Sequence, residues 1–152
     1  MQPSPLSLES HFFRKIHLNV EDSPNPGDPN SLECSVSFGR DRDDPLRFRV
    51  VLGLKMDADK GMKPPYRGEF EIAGTFRVHE KWPAEKTESL VTVSGPTLLY
   101  GAIREMLINL TSRMEHGPIQ LRTLSFADPN STSPSSKKKT ARKRTSQTSK
   151  AK

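Results

Sequence analysis

Four histidines, one cysteine and scattered carboxylates are the residues with which this chain of 152 could do chemistry. His11, His17, His79 and His116 lie far apart and share no metal-ligand spacing with Cys34. The chain has no Walker-type loop and no dinucleotide fingerprint. Gly95-Pro96 lacks the lysine and the further glycines of a phosphate cradle. Cys34 alternates into an apolar row, the setting of a buried inert thiol rather than of a nucleophile. The carboxylates stand mostly in loops beside basic residues, as solvated surface does. These patterns point away from catalysis, metals and cofactors, and toward binding.

Charge sharpens that reading. The net charge of +6 suggests a nucleic-acid binder until it is mapped along the chain. Residues 129–152 carry eight Lys or Arg and no acid, and without them 16 basic face 18 acidic residues. The basic character therefore belongs to the tail, where Lys137, Lys138, Lys139, Arg142, Lys143 and Arg144 would bind phosphates in a salt-dependent, sequence-blind way. With no aromatic residue to stack on bases, this tail reads equally as a solubilising tether for an acidic partner.

The elements that must position any site follow from periodicity. Three segments alternate clearly, at Leu32–Phe38, Leu46–Met56 and Tyr66–His79, each with an apolar and a polar face. A fourth, Phe12–Val20, places Phe12, Arg14, Ile16, Leu18 and Val20 in one row. Short connections between half-wet strands argue for an antiparallel sheet. Leu99, Ile103, Met106, Leu107, Leu110 and Met114 recur at helical spacing, with Ser94 or Thr97 capping, Pro96 in the first turn and Gly117-Pro118 closing. Residues Ile119–Phe126 alternate again and read as extended.

The expected fold is α+β, a four-stranded antiparallel sheet with a long helix packed on one face. Residues 1–10 read as a mobile leader, 11–128 as the domain, and 129–152 as a disordered basic tail. The start lacks a basic region followed by a long apolar run, and no stretch is apolar enough to span a bilayer, so a cytoplasmic protein without membrane insertion is expected. A single helix covers only part of such a sheet. The remaining apolar surface must meet another chain or a ligand.

The helix and its sequel, LLYGAIREMLINLTSRMEHGPIQLRTLSF from Leu98 to Phe126, resemble the long helix and post-helical segment of SecB-family export chaperones. The matching positions are Tyr100, Ile103-Arg104-Glu105, Ser112-Arg113, Pro118-Ile119-Gln120-Leu121 and Ser125-Phe126, with Phe70-Glu71-Ile72-Ala73-Gly74-Thr75-Phe76 resembling the family's strand motif. The resemblance implies a holdase that keeps unfolded polypeptide clients in apolar grooves and assembles as a homo-oligomer, a dimer of dimers. It implies as partner the SecA motor, or an antitoxin in the SecB-like proteins of toxin–antitoxin systems. This chain departs from the family where Asp128-Pro129 and a basic tail replace a short C-terminal helix, and in lacking strong acidity.

Client contact is expected at Phe38, Phe48, Leu52, Leu54, Met56, Trp82 and Leu121, the apolar strand and loop positions. Oligomer contact is expected along Leu99, Ile103, Arg104, Leu107 and Leu110. The alternative is a nucleic-acid or acidic-partner adaptor working through the tail alone.

Overall fold

A computed structural model describes residues 2–127. The expected basic tail and its lysines and arginines lie outside the described residues. Four strands are followed by a 3-10 turn and one long helix: β1 Leu6–Val20, β2 Ser31–Arg40, β3 Arg47–Asp57, β4 Tyr66–Val78 and α1 Thr87–Thr111. All pairings are antiparallel, in the order β1-β4-β3-β2. The α+β architecture is thus the expected one.

The order has a simple cause. β3 and β4 pair as neighbours in sequence, and the ten residues from Glu21 to Asn30 carry the chain from one sheet edge to the other. That connection passes the ends of β3 and β4, where the amides of Glu21 and Asn25 donate to the carbonyls of Pro65 and Lys63, both at 2.9 Å. Spanning three strand spacings takes roughly 14 Å, well within reach of ten residues.

The strand β1 departs from its expected form in two respects. It begins at Leu6, inside the stretch read as a leader, and Leu6 is buried against the core. Two register shifts, between Leu8 and Ser10 and between Phe13 and Lys15, break its alternation. Phe12 therefore pairs with Ala73 on the open sheet face, whereas Ile16, Leu18 and Val20 pair with Phe70, Gly68 and Tyr66 on the helix face. Each bulge inserts one residue and inverts every side chain beyond it, which a two-residue period cannot reveal.

The helix also starts earlier than its apolar stripe suggests. It runs ten residues ahead of Thr97, with Pro96 inside it rather than in its first turn. An interior proline forfeits one hydrogen bond and crowds the preceding residue. Here that residue is Gly95, which has no Cβ for the proline ring to strike. Gly95 also serves packing, because a Cβ there would stand 3.0 Å from Val50. Gly74, beneath Leu99, plays the same part on the sheet side. Through these two positions the helix lies close on β3 and β4.

The core sits between that helix and the sheet. Val50, Leu52, Leu54, Met56, Phe70, Ile72 and Phe76 meet Val91, Leu99, Ile103 and Leu107, a row that recurs every four positions once the buried Gly95 is included. On the open face the sheet is charged and cross-paired. Arg14 meets Glu71, Lys15 meets Glu69, and Glu9 receives both Arg47 and Arg77 at 2.9 and 2.8 Å.

The Arg77 hydrogen bond, with help from Arg47, holds the Glu9 carboxyl below its ordinary value of 4.5. A depressed carboxylate favours the folded state above the unfolded value, and that contribution disappears as pH falls through the lowered one. Thermal unfolding should therefore hold steady down to about pH 4.5 and decline below it. A Glu9→Gln variant should start lower and lose part of that decline, measured as melting temperature against pH.

Candidate functional site

The helix covers β4 and β3 and leaves β2 at a bare edge. β2 presents Leu32, Cys34, Val36 and Phe38 on the helix-side face, by their pairing with Met56, Leu54, Leu52 and Val50. The first three are half-buried, and Phe38 stays 45% exposed. A phenylalanine on the core side of a sheet is normally covered. Among the described residues none covers it fully.

What lies over β2 is the chain after the helix. Gly117 takes a φ of 75°, the left-handed conformation that suits a residue without Cβ, and turns the backbone back along the helix. Residues 117–126, here called the strap, form no strand. Leu121 is buried, while Ile119, Leu124 and Phe126 pack partly buried on the same core. Tyr66 Oη donates to the Gly117 carbonyl at 2.8 Å and Tyr100 Oη to the Arg122 carbonyl at 2.6 Å. Burial pushes both phenol pKa values up, so both hydroxyls keep their protons at neutral pH. The Ile119 amide donates to Thr111 Oγ1 at 2.9 Å. Phe126 stands edge-on to Tyr100, with ring centroids 6.1 Å apart.

Past Phe126 and Ala127, among the described residues, a groove of about 740 Å³ opens. Its floor is Cys34, Val36 and Phe38, its far wall is Thr92, Val93 and Pro96 of the helix, and Glu85 and Glu88 stand on its rim. A shallower apolar cleft over Phe38, Phe48 and Val91 adjoins it. Burial pushes the Cys34 thiol upward as well, which keeps it protonated and unreactive. The lining is apolar with a few polar rim groups, and its size falls in the range of ligand sites. Such a surface can take up exposed aliphatic and aromatic side chains.

Of the expected client positions, the structure brings Phe38 and the edge of Phe48 to this surface. Leu52, Leu54 and Met56 do not reach it. They lie on β3, which the sheet order makes a central strand, and are closed beneath the helix and strap. Leu121 is buried in the strap's own packing, and Trp82 lies half-buried against the core in the loop before the helix. Among the expected oligomer positions, Leu99, Ile103 and Leu107 are buried inside the protomer because they occupy the row facing the sheet. Leu110 is 39% exposed, and Arg104 is half-buried with no hydrogen-bond partner for its Nε among the described residues. The outer helix surface instead shows Leu98 and Ile108. Val36, Val93 and Pro96 were legible as apolar, but only strand order and the helix's true start place them at a groove.

Comparison with known proteins agrees with this architecture. The family model described as preprotein translocase subunit SecB matches residues 3–131. Protein-export protein SecB of Sinorhizobium medicae is 27% identical over 83% of this chain and 77% of its own length. Its counterpart from Dechloromonas aromatica is 25% identical over 78% and 80%. A SecB-like chaperone of Mycobacterium tuberculosis, solved in complex with a peptide from an antitoxin, superposes with a TM-score of 0.60. That match covers 80% of this chain and 91% of the other, at 23% identity.

Proposed function

This chain belongs to the SecB family, and from that premise we propose that it is a non-enzymatic chaperone of the export type. It binds extended, non-native polypeptide in the groove between β2 and the helix. The carrying observation is Phe38, an aromatic on the core side of the sheet left open beside Val36, Val93 and Pro96. Burial of client side chains there contributes roughly 25 cal/mol per Å², less the cost of ordering the client. A folded protein hides those side chains, so selection follows from exposure rather than from a sequence motif.

The same reading extends to self-association. Leu98, Ile108 and Leu110 lie exposed on the helix. Gly101 lies on the helix face of Leu98 and Ile108, with open space among the described residues where a Cβ would stand. A mid-helix glycine costs about 1 kcal/mol relative to alanine, and its value here is the close approach of a second copy. Several grooves on one assembly would then engage one long client with gain from effective concentration.

Titrating the full chain with one fluorescent polypeptide, native and then held unfolded, tests the proposal. Micromolar or tighter binding of the unfolded form alone, retained in high salt, is the expected result. Binding of both forms that vanishes in high salt would instead assign the activity to the basic tail.

A further inference from the structure

The strap and the open groove are two halves of one seam between the helix and β2. In one half Ile119, Leu121, Leu124 and Phe126 fill the apolar space, and in the other no described residue does. The strap's polar anchors share a property: the hydroxyls of Tyr66, Tyr100 and Thr111 all meet main-chain atoms, two carbonyls and one amide. Every polypeptide offers those atoms at regular intervals. The rest of the hold is apolar burial, which is non-directional. Gln120, Arg122 and Thr123 are exposed. The strap's apolar positions are spaced two, three and two residues apart.

Building on the groove reading above, we propose that the strap is a resident stand-in for client. It covers a concealed extension of the groove, and an extended non-native polypeptide displaces it. The client's carbonyls then accept from Tyr66 and Tyr100, and its apolar side chains take the places of Leu121 and its neighbours. Phe126 marks the boundary between the filled and the bare half. A client seated at Phe38 therefore adjoins the strap on its Phe126 side and displaces it from that side. The fully opened seam recognises a longer segment than the bare groove alone, one whose apolar residues repeat at the strap's spacing.

Hydrogen exchange of the full chain, with and without a saturating reduced and carboxymethylated globular protein that cannot refold, distinguishes the outcomes. The proposal expects amides of residues 120–126 to exchange at least tenfold faster with the probe bound, while those of residues 36–40 slow. It also expects Leu121→Ser, which loosens the strap, to tighten probe binding about tenfold. Slowed or unchanged exchange in the strap beside a protected β2, or weaker binding by Leu121→Ser, would make the strap a fixed wall and overturn this proposal alone. No response in either segment would overturn it together with the groove reading.

Discussion

Replacing Phe38 by aspartate should weaken binding of an unfolded polypeptide about 100-fold, which is roughly 2.7 kcal/mol. Two effects act in the same direction. The variant forfeits the burial of an aromatic side chain, roughly 1.5–3 kcal/mol when complete. It also sets a carboxylate where client side chains would have to desolvate it. Folding should hardly notice, because Phe38 is nearly half exposed in the free protomer and lies on an edge strand. Exposed substitutions of this kind usually stay within about 0.5 kcal/mol. Fluorescence titration paired with a thermal melt separates the two quantities. Equal binding by variant and parent would remove Phe38 from the site.

Leu52→Ala should behave in the opposite manner. Leu52 is fully buried at the centre of β3, paired with Val36 on one side and Ile72 on the other. Truncating such a leucine costs about 2–5 kcal/mol, the removed methyls and the residual cavity both contributing. In a domain of this size that lowers the melting temperature by roughly 10 °C. Affinity per folded molecule should be unchanged, because Leu52 reaches no surface a client can touch. A variant that stays stable but loses client binding would restore Leu52 to the groove.

These two residues show how far the sequence could be read. Phe38 and Leu52 stand in equally clean alternating strands, and alternation gives each a face. It does not say which strand lies at an edge. That follows from β1 pairing with β4 instead of β2, which encloses β3 and leaves β2 beside an incompletely covered seam. The extents of β2, β3 and β4 were legible because their periods run unbroken. The start of β1 was hidden by prolines at positions 3 and 5 and by its two bulges. The first ten residues of the helix were hidden by Ser, Thr and Val, weak helix formers, and by Pro96. Tertiary burial of Val91, Gly95 and Pro96 holds that stretch helical. The strap was legible as extended and apolar, but its hold through tyrosine hydroxyls links residues 51 and 22 positions apart, beyond any local pattern.

The central claim is that client polypeptide lies on the helix side of the sheet, at the β2 edge. Two exposed aromatics make this directly testable, since Phe38 is 45% exposed on that side and Phe12 is 53% exposed on the opposite face. A photoreactive phenylalanine at each position in turn, irradiated with unfolded and then with native polypeptide, reports which face is occupied. The account predicts strong cross-linking from position 38 to the unfolded chain, little to the native one, and little from position 12 to either. Cross-linking from position 12 that matches or exceeds that from position 38 would contradict it.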